Sequence, residues 1–260
     1  MATGVLVLGV ERATKLLGHL ALTAKSYAAT IRLGQDTVTD DAEGEVTGGA
    51  PADDLSEGAI RAGMAGLTGR IEQVPSQVSA IKVDGRRSYA RVRAGEQVEL
   101  AARPVTVTRF DLLAVEPAGP GLLDLRVEVG CSTGTYVRAL ARDLGAGLGV
   151  GGHLTVLRRT AVGPFDLAAA VTLETLANAA EPVPIGLDEA VAGCFPRRDV
   201  DADQALAVSH GRRLPAAGLP GPYGVFAPDG SVLALMTDDG GQARPLVVFA
   251  PALPTGGPLG

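Results

Sequence analysis

The 260-residue chain is long enough for one large core or for a large and a small domain. Its 46% hydrophobic content excludes an intrinsically disordered protein, and no apolar run approaches the roughly 18 residues that a membrane span needs. The net charge of −6, taken alone, argues against a nucleic-acid partner.

The distribution of charge is more informative than its sum. Eight acidic residues and no basic one lie between Asp36 and Glu57, whereas eight basic and four acidic residues lie between Arg70 and Arg109. Because salt confines the reach of a charge to about 8–10 Å, a local basic face can bind phosphates on an acidic protein. Arginines on an ordinary solvated surface would give the same pattern, and composition alone favours that interpretation.

The N-terminal half shows both strand and helix patterns. The apolar run Gly4–Gly9 predicts a buried strand, and Tyr27–Leu33 predicts a second one. Ser56 is placed to cap a helix with Ile60, Met64 and Leu67 at helical spacing. Further strands are predicted at Gln77–Val83, which ends in an Asp-Gly turn, at Val105–Val115 and at Leu123–Val129, where apolar and charged residues alternate.

The next segment combines a strand end, a polar turn and a helix. Thr135 is expected to cap a helix with Val137, Leu140 and Leu144 facing inward. A strand at Leu154–Val162 follows, and short segments broken by Pro and Gly then predict a compact β module from Leu187 to Ala250. The fold class expected is α+β, with a mixed, mainly antiparallel sheet in domain 1–180, a small β-rich domain at 181–250 and a disordered tail at 251–260.

Arg138 is the strongest catalytic candidate that the pattern alone offers. It lies in the first turn of the predicted helix, directly after a strand, and a guanidinium group there can hold a catalytic carboxylate ionised and aimed. The alternative is that Arg138 pairs with Asp143 or faces solvent. Three scattered histidines, and two cysteines without CxxC spacing, predict no metal site and reduced thiols in a cytoplasmic protein.

An ordered set of motifs resembles the bacterial TruB-type tRNA pseudouridine synthases, which modify the uridine of the T-loop. The matching segments are Met1–Leu6, Lys25–Tyr27, Gly34–Gly44, Gln73–Lys82, Ala102–Val105, Cys131–Arg138, Gly152–Leu154 and Leu157–Arg159. The resemblance implies the pseudouridine synthase fold, a thumb segment at about 75–104 that inserts into the RNA, and a PUA-like second domain. It also implies isomerisation of uridine 55 in the tRNA T-arm stem-loop by a monomer that needs neither metal nor organic cofactor.

The resemblance also assigns roles to individual residues. Tyr27 looks like the tyrosine that stacks on the uracil, and Arg138 like the partner of the catalytic aspartate. Tyr136 and Leu157 resemble pocket residues, and Asp41 matches an acidic position near the active site. The residues expected to contact RNA are Lys82, Arg86, Arg87, Arg91, Arg158 and Arg159. Without the resemblance, Tyr27 would be taken as an ordinary core tyrosine, and Lys82 could equally be a charge at a strand end.

One departure from the family pattern bears on activity. The family motif Leu-Asp-Pro directly precedes the segment with which this chain begins, so the nucleophilic aspartate is expected two residues before Met1. Either the true start codon lies upstream or the chain is a truncated product. The 260-residue chain is therefore expected to lack isomerase activity. The alternative function is a non-catalytic RNA-binding or tRNA-folding protein on the same scaffold.

Overall fold

A computed structural model describes residues 2–20, 23–76, 82–83, 86–87 and 100–249. The chain divides into two compact units, the first made of Met1–Val5 with Leu22–Val162 and the second of Leu6–Ala21 with Gly163–Gly260. The division after Val162 differs from the boundary predicted at residue 180.

The strands run from β1 to β16 along the chain. They are β1 (Ala2–Gly4), β2 (Lys25–Leu33), β3 (Asp36–Thr37), β4 (Val46–Gly48), β5 (Gly69–Gln73), β6 (Lys82–Val83), β7 (Arg86–Arg87), β8 (Arg103–Gly119), β9 (Leu122–Cys131), β10 (Gly152–Val162), β11 (Phe165–Asp166), β12 (Arg197–Asp199), β13 (Leu214–Pro215), β14 (Tyr223–Phe226), β15 (Val232–Asp239) and β16 (Gln242–Val248).

Among the described residues, the helices are fewer than the strands. A 3₁₀ helix spans Glu11–Leu16, and the α-helices are α1 (Leu17–Leu20), α2 (Glu57–Gly66), α3 (Val137–Gly147), α4 (Leu173–Asn178), α5 (Leu187–Cys194) and α6 (Ala202–Ser209). Among the described residues, none of these helices is long and apolar enough to cross a membrane.

The main sheet of the first unit has the strand order β1-β10-β2-β9-β8-β5. Only β1 pairs in parallel with its neighbour, and the other pairs on this path are antiparallel, which confirms the prediction of a mixed, mainly antiparallel sheet. The alternation predicted at Leu123–Val129 is real: Leu125, Val127 and Val129 are buried, together with Ile31 of the adjacent strand. Helix α3 packs on this apolar face, and its Leu140 and Leu144 join the same core cluster.

Two helix starts were predicted with different success. The Ser56 hydroxyl accepts a hydrogen bond from the Ala59 N–H at 3.1 Å, so the predicted cap of α2 is confirmed. The prediction for Thr135 was wrong, because the cap residue of α3 is Tyr136 and no side chain of the helix start caps it.

The buried strand predicted at Gly4–Gly9 was also wrong. Strand β1 ends at Gly4, only Val5 is buried, and Leu6 and Leu8 are 70% and 65% exposed. The reason is that the strand ends at Gly4, and Leu6 begins a segment that belongs to the second unit.

The second unit contains a sheet with the order β12-β14-β15-β16-β13. The β-rich module predicted here is confirmed, although it also carries α5 and α6, which the sequence pattern did not predict. The segment Leu6–Ala21 belongs to this unit because Leu16 and Leu20 are buried in a cluster with Val191 and Phe226.

The predicted strand Gln77–Val83 lies mostly outside the described residues. Its last two residues form β6, which pairs antiparallel with β7 as expected for a hairpin. The predicted tail at 251–260 lies outside the described residues altogether.

Candidate active site

Tyr27 and Leu157 lie on the same face of the main sheet. Side chains alternate along a strand, so Tyr27 shares a face with Ala29 and Ile31, and the register places Leu157 opposite Ala29. Both Tyr27 and Leu157 are half-buried and pack against the core cluster that includes Val137 of α3. This is therefore the face of the sheet on which α3 packs.

Arg138, in the first turn of α3, forms an ion pair with Asp41. Its Nη1 lies 2.8 Å from Asp41 Oδ2 and 3.1 Å from the carbonyl oxygen of Thr39. The two side chains are only 21% and 6% exposed, respectively. The alternative partner Asp143 is instead bonded to Arg142.

The Asp41 carboxylate is held from several directions. Its Oδ1 accepts a hydrogen bond from the Thr39 hydroxyl at 2.5 Å and another from the Glu43 N–H at 3.1 Å. The backbone of the same turn is joined to β10, because the Leu154 N–H donates to Asp40 and the Ala42 N–H donates to Leu154. Asp41 is thus fixed within the protein before any substrate binds.

The preceding residue, Asp40, forms a second buried ion pair. It adopts a positive φ of 57°, and its Oδ2 lies 3.1 Å from Nη1 of Arg142, one turn beyond Arg138 in α3. Burial raises the pKa of the Asp40 carboxyl, while hydrogen bonding and the guanidinium groups of Arg142 and Arg138 oppose that shift. Two consecutive aspartates therefore anchor this turn to two arginines on one face of α3.

Gln73 is a site residue that the sequence reasoning missed. Its side chain is 1% exposed and bonds both backbone groups of Tyr136, accepting from the N–H at 2.8 Å and donating to the carbonyl at 3.2 Å. The local sequence carries no signal for this contact, because the two residues are 63 positions apart.

Arg159 lies directly opposite Tyr27 on the neighbouring strand. Its Nε donates to the carbonyl of Val5 at 2.7 Å. Burial raises the pKa of Tyr27, and hydrogen bonding to Arg159 opposes the shift. Lys25, two residues before Tyr27 on the same face, has a pKa lowered mainly by burial.

The structure brings together some of the predicted RNA-binding residues and separates others. Arg158 is exposed and, as the neighbour of Arg159 along a strand, points to the opposite face of the sheet. Lys82, Arg86 and Arg87 lie on the β6–β7 hairpin, of which only the backbone is described, and Arg91 lies outside the described residues.

His153 is buried, and its Nδ1 lies 3.0 Å from the carbonyl oxygen of Gln35. Across the part of the chain that the structure describes, no three His, Cys, Asp or Glu residues are grouped as a metal site would require.

Comparison with family models accounts for nearly the whole chain. Residues 1–137 match the N-terminal domain of the TruB family of pseudouridylate synthases. Residues 138–191 match a tRNA pseudouridylate synthase B C-terminal domain, and residues 195–250 match the C-terminal model of tRNA pseudouridine synthase II.

Curated relatives show the same similarity at high identity. A protein of Streptomyces griseus named tRNA pseudouridine synthase B is 59% identical over 255 residues, which cover 96% of this chain and 85% of the relative. A protein of Nocardia farcinica with the same name is 60% identical over 252 residues, covering 96% and 81% of the two chains.

Solved structures share the fold at lower identity. A chain of a Cbf5-Nop10-Gar1 complex matches with a TM-score of 0.70 and 24% identity, covering 96% of this chain and 74% of that one. A chain of an H/ACA RNP bound to a substrate RNA containing 2'-deoxyuridine matches with a TM-score of 0.64 and 22% identity, covering 93% and 71%. At these identities the comparison establishes the fold alone.

Proposed function

Since the chain belongs to the TruB family of pseudouridylate synthases, we propose that it isomerises uridine to pseudouridine in the T-loop of tRNA, at position 55. The observation that carries the proposal is the Arg138–Asp41 ion pair, which lies at the start of the helix packed on the face of Tyr27 and Leu157. An arginine held by a buried aspartate, at the start of the helix that packs on the face of an aromatic ring and an apolar side chain, suits a site that holds a pyrimidine next to a charged reaction centre.

Tyr27 is proposed to receive the extruded uracil. A uridine inside a folded loop must leave its stack before its glycosidic bond can be cut, and extrusion costs a few kcal/mol. Stacking on an aromatic side chain returns about 1–3 kcal/mol per base. Tyr27 is half-buried, with its ring packed against the core and Arg159 opposite, so it can offer such a platform with little rearrangement.

Arg138 is proposed to orient the catalytic aspartate that the family resemblance places two residues before Met1. Strand β1 runs parallel to β10 with Ala2 opposite Leu157. On the same edge of β10, the turn that contains Asp41 pairs with Leu154. Residues upstream of Met1 on the line of β1 would therefore run towards the Arg138–Asp41 pair, which supports the assignment.

It follows that the 260-residue chain alone is proposed to be inactive, because removing a covalent nucleophile removes the reaction pathway. The test compares three polypeptides: the 260-residue chain, the chain extended by its upstream codons, and the extended chain with the expected aspartate replaced by asparagine. Isomerisation reattaches the base through C5, so release of tritium from T-arm RNA labelled at C5 of uridine measures it directly.

Activity in the extended chain only, lost in its asparagine variant, is the expected result. Activity of the 260-residue chain would refute the proposed inactivity. An extended chain that binds T-arm RNA without releasing tritium would refute the isomerase and favour the non-catalytic RNA-binding alternative. We also propose that the enzyme needs no metal, is a monomer and acts in the cytoplasm. Activity is therefore expected to survive EDTA, and light scattering is expected to give the mass of a monomer.

The basic stretch between Arg70 and Arg109 is proposed to contact RNA phosphates. Replacing Arg86 and Arg87 with alanine should weaken T-arm binding and reduce the dependence of log Kd on log salt by about one for each phosphate that is no longer bound. Arg61→Ala and Arg126→Ala are matched controls, because both arginines are exposed and already paired with carboxylates. Equal effects of both pairs of substitutions would contradict the assignment.

A further inference from the structure

The start of α3 depends on a side chain from another element. The cap residue Tyr136 has extended backbone angles, and no side chain at the helix start bonds the first turn. Gln73, the last residue of β5, instead bonds both the N–H and the carbonyl of Tyr136 through one amide group. Because Gln73 is 1% exposed, its amide is shielded from solvent, and a substitution that removes the amide leaves both backbone groups of Tyr136 without this partner.

The residue after Gln73 holds the second turn of the same helix. The carbonyl of Val74 accepts a hydrogen bond from Arg142 Nη2 at 2.7 Å, and Arg142 Nη1 binds Asp40 at 3.1 Å. The end of β5 therefore forms hydrogen bonds with α3 on both sides of Arg138, at Tyr136 and at Arg142.

We infer that Gln73 is a positioning residue for Arg138, an inference that rests on the proposed function. Nη1 of Arg138 lies 2.8 Å from Asp41 Oδ2 and 3.1 Å from the carbonyl oxygen of Thr39. A hydrogen bond is lost when donor and acceptor are more than about 3.5 Å apart, so a shift of the helix start by about 0.7 Å along the bond to Asp41 is enough to lose it. Misplacement of about 1 Å in a catalytic group can cost about 100-fold in rate.

The two hydrogen bonds to the backbone of Tyr136 require an amide at position 73. Bonding the N–H and the carbonyl of one residue needs an acceptor and a donor on the same planar group. Methionine has nearly the same length and shape as glutamine but provides neither a strong hydrogen-bond donor nor a strong acceptor. Gln73→Met therefore removes both bonds while filling the same space.

The variant is compared with two controls. Met64→Ala, at a 2% exposed position of α2 in the same core cluster, lowers stability from a different helix and leaves the Gln73–Tyr136 hydrogen bonds in place. Gln242→Met makes the same chemical change at an exposed position of the second unit. Amide hydrogen exchange is measured on the 260-residue chain, and single-turnover tritium release and T-arm Kd on whichever chain releases tritium.

In Gln73→Met, the amides of Tyr136 to Leu140 should exchange at least about tenfold faster, while those of α2 are unchanged. The single-turnover rate at saturating RNA should fall about 10- to 100-fold, with Kd within about threefold of the unmodified chain. Both controls should keep the rate within about twofold.

Three results would overturn the inference: unchanged exchange at the start of α3, a rate loss shared by Met64→Ala, or a loss confined to Kd. Failure of the proposed function gives a different pattern, since the unmodified extended chain would then be inactive. In that case the exchange measurement still decides whether Gln73 holds the helix start.

Discussion

Replacing Asp41 with asparagine removes a charge from the centre of the candidate site and keeps the size of the side chain. The Asp41 carboxylate is bonded by the Thr39 hydroxyl, the Glu43 N–H and the Arg138 guanidinium group. An asparagine oxygen can keep the first two bonds, but its NH₂ group then faces the guanidinium donors of Arg138. The substitution therefore breaks the ion pair selectively.

The cost follows from the burial of the pair. A hydrogen bond to a charged group contributes about 1.5–3 kcal/mol, and removing one partner of a buried ion pair costs about 3–5 kcal/mol. Asp41 is nearly fully buried and Arg138 is 21% exposed, so partial hydration places the expected loss near 3 kcal/mol. For a domain of this size, that loss lowers Tm by about 6–12 °C.

Because the chain contains two compact units, a single unfolding signal would mix their transitions. Urea unfolding is therefore followed by pulsed hydrogen exchange on peptides from each unit. The control is Asp124→Asn, which breaks the ion pair between Asp124 and Arg32 on neighbouring strands. Two hydrogen bonds of 2.8 Å join these side chains, of which Asp124 is 21% and Arg32 29% exposed. It should cost about 1 kcal/mol. A loss below about 1 kcal/mol for Asp41→Asn, or one no larger than that of the control, would refute the reasoning.

Two further predictions concern stability. Hydrogen bonding to Tyr223 lowers the pKa of Asp238, so this carboxylate stabilises the fold above its unfolded pKa of about 4 and the contribution is lost as pH falls through the lower folded value. Asp238→Asn should therefore be less stable than the unmodified chain at pH 7, and the urea midpoints of the two proteins should converge as the pH falls through the folded value; a difference that stays constant across this range would contradict the prediction. Gly145→Ala should destabilise the first unit by about 3 kcal/mol or more, because a Cβ there would lie 2.2 Å from backbone atoms of Gly151 and Gly152. Gly147→Ala on the same helix, where nothing lies within 4 Å, is the matched control and should be neutral or stabilising by thermal melting.

The sequence predicted best what depends on neighbouring residues. The alternation from Leu123 to Val129 identified a strand and its buried face, since period-two burial is a local property. Ser56 likewise marked the start of α2, because an N-cap serves a backbone amide only three residues away.

The contacts that complete the site join residues far apart in the chain. Asp41 is 97 residues away from Arg138, and Gln73 is 63 residues before Tyr136, whose backbone it bonds, so spacing could not identify either contact. The prediction for Leu6 and Leu8 was wrong for a related reason: their apolar character predicted a buried strand, but both residues follow the strand that ends at Gly4 and belong to the second unit.

The assignment of Leu6–Ala21 to the second unit has a consequence for dividing the protein. A fragment starting at Gly163 would leave Val191 and Phe226 without Leu16 and Leu20, and the carbonyls of Val248 and Phe249 without Lys15 and Arg12. Such a fragment would expose an apolar surface in water and self-associate. Joining Leu6–Ala21 to its N-terminus through a flexible linker should restore solubility, so that the smaller unit can be studied in isolation.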